Sequence, residues 1–185
     1  MKHIIEGKQC GLRMAGLSDA PAILKMRNSD LVRLRFLYQE TITPKIHEQW
    51  YHENVETGKA LQYMILEKDT HAPLGVAYFS HIDRENRQAE WGIYLGEERA
   101  FGKGISREAF FLLAPPFMEE YDLHKLKMRA LGDNERSIRY HHALGFRDEG
   151  LFHDEVLLNG VYHDVLFGYM LREELQDREE VRFNG

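Results

Sequence analysis

The sequence predicts a single α+β domain in which helices cover both faces of a mixed, mostly antiparallel β-sheet. Three observations indicate this fold class. Strand-like segments follow one another up to Glu90–Leu95, a glycine-rich turn at 102–104 joins that strand to a helical pattern from Ile105, and Asn159-Gly160 separates two further strand-like segments. A length of 185 residues suits one domain, expected at about residues 11–172 and followed by a charged tail at 173–185.

Composition narrows the classes of function. With 43% hydrophobic and 29% charged residues the chain has the balance of a globular protein, and no apolar run approaches the roughly 20 residues of a membrane span. The net charge of −6, without a block of basic residues, argues against a nucleic-acid partner. Cys10 is the only cysteine and the N-terminus has no signal-peptide pattern, so we expect a cytoplasmic protein without an intrachain disulfide.

The first predicted elements are a short strand and a helix. Gly11–Ala15 has the content of a strand, and Ser18 offers an N-cap to a helix that runs to about Asn28. Leu31–Gln39 contains two arginines and several aromatic residues and follows no clear helical or strand period, so we predict an irregular loop there.

The middle of the chain predicts a helix and three antiparallel strands. Thr43-Pro44 places a capping threonine before a proline, which is typical of a helix start, and Gly58 ends that helix. Leu61–Glu67, Leu74–Ile82 and Glu90–Leu95 read as strands and are separated by turn-like stretches. We therefore expect them to pair as consecutive antiparallel strands.

A helix and a parallel strand are predicted next. The helix that begins at Ile105 meets Pro115-Pro116, which should end or kink it near Leu113 and leave a second helical segment, Phe117–Tyr121. Lys125–Leu131 alternates between apolar and cationic residues and follows a helical crossover. It is therefore expected to pair in parallel with the central strand.

The chain is predicted to close with a helix and a hairpin. Asp133-Asn134 offers caps for a helix that Gly145 stops, and Leu151–Leu157 and Val161–Leu171 flank the hairpin turn. No two-histidine-plus-carboxylate spacing indicates a metal site. Two His-Asp pairs are expected to hydrogen-bond across the hairpin: His153-Asp154 and His163-Asp164.

The turn at Gly102-Lys103-Gly104 has the features of an anion site. A glycine-rich turn from a strand into a helix exposes backbone N–H groups at the positive end of the helix dipole, where phosphate oxygens bind. A P-loop is excluded because Lys103 is followed by Gly104 rather than Ser or Thr, and a dinucleotide fingerprint is excluded because Arg107 replaces its third glycine. An ordinary tight turn is the alternative.

Two motifs resemble the GCN5-related N-acetyltransferase (GNAT) family. Phe101, Gly104 and Ser106 fall on the family's acetyl-CoA loop pattern (Gln or Arg, two residues, Gly, one residue, Gly or Ala), in which only the glycine matches strictly. Asn134–Phe146 is similar to the family's Asn-x-x-Ala-Ile-x-x-Tyr-x-x-Leu-Gly-Phe. The resemblance covers roughly residues 12–171. Met26-Arg27-Asn28-Ser29 and Tyr162-His163-Asp164 suggest the subgroup of ribosomal-protein N-terminal and nucleotide-aminosugar N-acetyltransferases.

The resemblance implies an acetyl-CoA-dependent N-acetyltransferase that transfers the acetyl group directly, with no metal and no covalent enzyme intermediate. In the family a bulge in the strand before the loop frees a backbone N–H for the thioester oxygen, here within 93–95. Phe101 replaces a basic residue of the family pattern. The implied cofactor contacts are Ile93, Tyr94, Leu95, Arg99, Gly102, Lys103, Gly104, Ile105, Ser106 and Asn134.

The catalytic residues implied are a base and a proton donor. Glu90 matches a strand position that often supplies the base. The family's tyrosine donor position is occupied by His141, and Tyr140 is its neighbour, so both are candidates for the donor. A non-catalytic acyl-CoA-binding or regulatory module with the same fold is the alternative function, because Phe101 and His141 depart from the family pattern.

The acceptor is expected to bind the segments before the sheet. These hold a cationic and aromatic mixture and few acidic residues, which favours an anionic small amine, such as a nucleotide-linked aminosugar, over a polyamine. A protein N-terminus is the second choice, and a homodimer is an option for the assembly. The substrate-binding residues predicted are Arg33, Arg35, Tyr38 and Trp50.

Overall fold

The computed structural model describes residues 4–175. The strands of this part are β1 (Ile5–Glu6), β2 (Cys10–Met14), β3 (Leu61–Glu67), β4 (Pro73–Asp83), β5 (Gln88–Leu95), β6 (Lys125–Leu131), β7 (Arg147–Leu158) and β8 (Val161–Leu171). The α-helices are α1 (Ala20–Arg27), α2 (Asp30–Arg33), α3 (Pro44–Trp50), α4 (Ile105–Glu120) and α5 (Glu135–Leu144). The charged tail predicted after residue 172 lies largely outside the described residues.

The strands of residues 4–175 form one eight-stranded sheet in the order β1-β2-β3-β4-β5-β6-β8-β7. The neighbouring strands pair antiparallel except β5 and β6, which pair in parallel as predicted. On one face Trp91 packs with Phe79 and with Phe110 of α4 in the main core. On the other face Met26 of α1 packs in a smaller cluster with Val76. The fold is therefore the predicted α+β arrangement with helices on both faces.

Local sequence signals produced the caps and the hairpin. The Thr43 hydroxyl accepts a hydrogen bond from the Ile46 N–H at 3.3 Å, which caps α3. Asn159 and Gly160 have φ angles of 50° and 81°, the left-handed pair that a two-residue hairpin turn requires. The predicted bond across the hairpin is present between His153 Nδ1 and Asp164 Oδ2 at 2.9 Å.

Of the two outcomes predicted for Pro115-Pro116, an end of the helix near Leu113 is wrong, and a kink there stays a prediction. Helix α4 continues through both prolines to Glu120. Each proline removes one intrahelical hydrogen bond, but Ala114 and Phe117 on either side of the pair are buried in the main core. Packing on both sides of the prolines therefore outweighs the tendency of proline to end a helix.

The irregular segment predicted at Leu31–Gln39 is partly helical, since its first residues belong to the short helix α2. The rest of it is held by the buried Arg27. The Arg27 guanidinium lies 3.8 Å from the centroid of the Phe36 ring and donates a hydrogen bond to the Tyr38 carbonyl at 2.7 Å. Phe36 in turn contacts Tyr94 of β5 edge to face. This anchored segment covers the sheet beside β5.

The bulge implied at 93–95 is not found in the pairing of β4 with β5. The register is continuous from Gly75↔Leu95 to Ser80↔Glu90, and the shift falls instead in β4 between Ser80 and Asp83. At that bulge His81 has a φ of 49°. The extra residue in β4 therefore lies beside Glu90 rather than beside the glycine loop.

Candidate active site

The central feature of the site is a split between β5 and β6. Their parallel pairing covers Gln88–Glu90, and β5 continues past the last pair to Leu95. A cavity of about 270 Å³ lies at this split, and its walls include Tyr94 from β5 and Tyr140 and His141 from α5. Residues of the segment 31–37 and of α5 line the cavity together with β5, so the cavity gives a ligand access to the edge of β5.

The glycine loop enters α4 as the sequence predicts. Gly102 and Gly104 have φ angles of 72° and 74°, and a Cβ at either position would meet nothing within 4 Å. The backbone N–H of Glu108 donates to the Gly104 carbonyl at 2.9 Å. The N–H groups of the three residues before Glu108 therefore have no intrahelical acceptor and face the end of the helix. This geometry suits phosphate oxygens.

The cations near the loop differ from those expected. Arg99 forms an ion pair with Glu67, and Lys103 is exposed. Phe101, which stands where the family pattern has a basic residue, lies under the guanidinium of Arg136, whose Cζ is 3.8 Å from the ring centroid. Arg136 belongs to the first turn of α5 and lines the cavity. The sequence reasoning missed it.

Half of the predicted cofactor contacts lie on the cavity wall. The lining residues among them are Ile93, Tyr94, Leu95, Ser106 and Asn134. Ile105 differs because its side chain is buried in the main core and only its backbone belongs to the loop. Asn134 has two roles, since its Oδ1 also accepts a hydrogen bond from the Ser137 N–H at 3.2 Å and caps α5.

Glu90 lies at the apex of the split, in the last residue pair of β5 with β6. Its side chain is 15% exposed, and Arg129 Nε lies 2.9 Å from Oε2. His81 Nδ1, from the β4 bulge, lies 3.5 Å from the same oxygen. Both contacts are made to Oε2 rather than to Oε1.

His141 is buried and neutral. Burial lowers its pKa to about 4. Its Nδ1 lies 2.8 Å from the Ser137 carbonyl, which can only accept, so the ring proton is on Nδ1 and Nε2 carries a lone pair. Nε2 is buried without a hydrogen-bond partner among the described residues. This protonation state makes His141 an acceptor at neutral pH and disfavours it as the proton donor.

Tyr140 is the other candidate for the donor. Its hydroxyl donates a hydrogen bond to the Ser106 carbonyl at 3.0 Å, which places it between α5 and the first turn of α4. Burial raises the pKa of Tyr140 above its usual range. Tyr140 therefore keeps its proton at neutral pH, as a donor must.

Of the four predicted acceptor residues, Arg35 alone is on the cavity wall that the described residues form. Arg33 instead donates to the Gln39 carbonyl at 2.8 Å and pairs with Asp30 at 2.7 Å, so it tethers its own segment. Tyr38 is exposed, and Trp50 stacks on His47 within α3. None of these three side chains lines the cavity, and their role in binding the acceptor stays a prediction. Residue type alone does not give the direction of a side chain in an irregular segment.

Tyr78 and Arg129 also line the cavity and were missed. A Cβ at Gly92 would come within 2.1 Å of Tyr78 Cζ, so the tyrosine ring lies directly over this glycine of β5. Burial raises the pKa of Tyr78 above its usual range. The alternation of apolar and cationic residues in Lys125–Leu131 assigned Arg129 to the polar face of its strand. The pairing register with β5 was needed to place Arg129 beside Glu90.

Cys10 is not suited to act as a nucleophile. Its thiol is buried next to the Glu108 carboxylate, and burial together with that charge raises the pKa of Cys10 to about 12. In residues 4–175 no group of three or more His, Cys, Asp or Glu side chains is placed to hold a metal ion. No helix in the same range is long and apolar enough to cross a membrane.

The residues present fit coenzyme A on three observations. The edge of β5 beyond Glu90 is accessible for pairing with an extended chain. The space over Gly102 and Gly104 is open to phosphates. The buried Nε2 of His141 lacks a donor among the described residues, and an amide N–H of a bound ligand would supply one.

Comparisons with known proteins agree with this geometry. The profile of the family described as Acetyltransferase (GNAT) domain matches residues 10–147. The putative ribosomal N-acetyltransferase YdaF of Bacillus subtilis (strain 168) is 30% identical over 138 residues, which are 74% of this chain and 70% of that protein. The spermidine N(1)-acetyltransferase of Vibrio cholerae is 24% identical over 170 residues, 85% of this chain and 98% of that protein.

A solved structure shows the same fold. The spermidine N-acetyltransferase from Vibrio cholerae, in complex with CoA and spermine, superposes with a TM-score of 0.82 at 20% sequence identity, covering 92% of this chain and 99% of the other. The family profile spans the central strand and α5, which line the cavity, and the glycine loop beside it. The chain therefore belongs to the GNAT family and is an acetyl-CoA-dependent N-acetyltransferase.

Proposed function

We propose that this enzyme acetylates the primary amine of a small anionic acceptor, such as a nucleotide-linked aminosugar. The charge of the cavity wall carries the proposal. Three arginines line it, Arg35, Arg129 and Arg136, and its one acidic side chain within the described residues, Glu90, is paired with Arg129. Arginine binds phosphate or carboxylate through two parallel hydrogen bonds. A polyamine would meet like charge at the same wall, which disfavours it.

The chemistry assigned to this chain begins with Glu90. Acetyl-CoA supplies the thioester whose acetyl group is transferred. The acceptor amine must be neutral to attack, and Glu90 Oε1 takes up the proton that the amine loses. The N–H groups along the accessible edge of β5 stabilise negative charge on the acyl oxygen. Tyr140 holds the proton that the leaving sulfur requires.

Turnover of an acceptor panel tests the proposal. Thiol release from acetyl-CoA would be measured with a nucleotide-linked aminosugar, an alanine-initiated peptide and spermidine. We expect kcat/KM for the aminosugar to exceed that for spermidine by about 10-fold or more, since like-charge contacts cost several kcal/mol. Faster turnover of spermidine than of the other two amines would contradict the proposal.

Arg35 provides a second test at the acceptor side. Arg35→Gln should raise the acceptor KM by roughly 10-fold, as expected for the loss of one charge-assisted contact, while acetyl-CoA affinity stays the same. Arg87→Gln is the control, because Arg87 pairs with Asp122 away from the cavity. An unchanged acceptor KM in Arg35→Gln would remove Arg35 from the acceptor site.

A protein N-terminus is the second candidate acceptor. A groove of about 570 Å³ between α2 and the start of α5 shares Leu31, Arg35, Asn134 and Arg136 with the cavity. A peptide entering the cavity with its amino group would have this groove for its following residues. The relative YdaF, named as a putative ribosomal N-acetyltransferase, supports the same candidate. In the acceptor panel, a higher kcat/KM for the peptide than for the aminosugar would identify a protein N-terminus as the acceptor.

A further inference from the structure

Acetylation of an ammonium group must release one proton to solvent. The ammonium loses two protons as the C–N bond forms. One of them replaces the proton that Tyr140 gives to the sulfur as the C–S bond breaks, and the other leaves the protein. Under the proposed function Glu90 accepts a proton in each cycle, yet its side chain is only 15% exposed. The carboxyl group therefore needs a route that carries its proton to water.

His81 lies between Glu90 and solvent. Its side chain is 64% exposed, and Nδ1 is 3.5 Å from Glu90 Oε2. The same Nδ1 is 3.2 Å from the Ser80 hydroxyl oxygen. The β4 bulge produces this placement, since His81 has a φ of 49° at the point where the register with β5 shifts. Few residues other than glycine adopt that conformation.

The groups around the carboxylate hold it beside His81. Arg129 of β6 contacts the same Oε2 at 2.9 Å, and Lys127 is the register partner of Glu90 in that strand. From β4, Tyr78 also lines the cavity. Of these groups, imidazole is the one that can accept a proton at one ring nitrogen and donate a proton from the other.

We propose that His81 is the proton relay of this active site. The inference rests on the proposed role of Glu90 as the base. After acetyl transfer, rotation of the neutral Glu90 carboxyl group about its Cγ–Cδ bond brings the protonated oxygen to His81 Nδ1. His81 Nδ1 takes that proton, and Nε2 of the same ring gives a proton to water. Glu90 returns to the carboxylate form, the imidazole ends neutral, and one proton has reached solvent. Exchange with water restores the starting tautomer.

His81→Asn tests the relay, because asparagine tolerates the left-handed backbone and cannot shuttle protons. His71→Asn is the matched control: His71 is also an exposed histidine, with a φ of 56°, in the turn between β3 and β4. In weakly buffered solution we expect kcat of His81→Asn to fall by about 10- to 100-fold, the low end of the effect of a proton-transfer group. Added imidazole should restore kcat in a saturable manner. His71→Asn should behave like the wild type.

A structural role for His81 gives a different result. If His81 only maintained the bulge, His81→Asn would lose activity or thermal stability without recovery in imidazole, and the relay would be wrong. A wild-type kcat in weak buffer would also overturn it. The assay uses whichever amine the wild type accepts, so a failure of the anionic-acceptor proposal is seen separately in the panel. Glu90→Gln, which lacks the base itself, should not recover with imidazole.

Discussion

The guanidinium of Arg136 lies over the ring of Phe101, with 3.8 Å between Cζ and the ring centroid. The contact joins the glycine loop to the first turn of α5 across the mouth of the cavity. Phe101 replaces a basic residue of the family pattern, and the structure brings a cation to the same place from another element. A cation–π contact of this kind contributes about 0.5–2 kcal/mol and orients the arginine.

Arg136→Ala should therefore weaken acetyl-CoA binding by about 10-fold, the loss expected for one charge-assisted contact to a phosphate. Phe101→Leu should weaken acetyl-CoA binding less, because the Arg136 guanidinium remains but loses the aromatic ring that orients it. Isothermal titration with acetyl-CoA measures both. Arg139→Ala is the control, since Arg139 is on the same helix and pairs with Glu135. Equal affinities in Arg136→Ala and the wild type would show that Arg136 does not contact the cofactor.

Gly104→Asp tests the anion site in the loop. Both Asp and Asn tolerate the left-handed φ of 74° at this position, and neither would meet a neighbour within 4 Å of Cβ. Gly104→Asn is therefore a matched control that differs only in charge. We expect Gly104→Asp to bind acetyl-CoA at least ~10-fold more weakly than Gly104→Asn, from repulsion of the phosphates. If calorimetry gives the same affinity for both, the phosphates do not lie at this loop.

Glu90→Gln should separate chemistry from binding. The amide keeps the shape of the side chain but cannot take up a proton, so kcat should fall by roughly 10²- to 10⁴-fold while acetyl-CoA affinity changes little. Glu149→Gln is the control, because Glu149 pairs with Lys125, in the strand next to β5. Steady-state kinetics and calorimetry on the two variants would be compared. A Glu90→Gln enzyme with wild-type kcat would leave the base unidentified.

Tyr140→Phe and His141→Phe distinguish the two candidates for the proton donor. The unpartnered Nε2 of His141 carries a lone pair, whereas the hydroxyl proton of Tyr140 can rotate away from the Ser106 carbonyl. We therefore expect Tyr140→Phe to lose more kcat, by about 10²-fold for loss of a general acid. His141→Phe should mainly weaken cofactor binding. The measurement is kcat of each variant with acetyl-CoA as the acyl donor. The reverse order of kcat losses would return the role to His141.

His141 should also make stability depend on pH. Burial lowers its pKa to about 4 in the folded protein. An unfolded histidine has a pKa of about 6.5, so the unfolded chain binds more protons between these two values. The stabilisation is present above pH ~6.5 and is lost as pH falls toward the folded pKa, by about 2 kcal/mol between pH 7 and pH 5. Urea unfolding at both values should show a smaller loss for His141→Phe than for the wild type. An equal loss would assign the effect to other groups.

The sequence by itself determined the order and type of most of the elements. Leu61–Glu67 and Lys125–Leu131 were predicted with the bounds that the structure has, and Asn159-Gly160 fixed the hairpin. The glycine loop at 102–104 and the cap at Asn134 were also predictable. These features arise from side-chain period, turn residues and caps, which act between residues close in the chain. The family motifs are of the same local kind.

Only the tertiary structure decided which side chains meet at the site. Glu90 and Arg129 come together because β5 and β6 pair in a particular register, and Arg136 reaches Phe101 because α5 packs beside the loop. The direction of Arg33 away from the cavity depends on how Arg27 holds its segment. Helix α4 continues through two prolines because the core on either side stabilises it. Each of these features depends on contacts between residues that are distant in the chain. The free energy of such contacts overrides the conformational preference of the local sequence, and the spacing of residues does not indicate which contacts form.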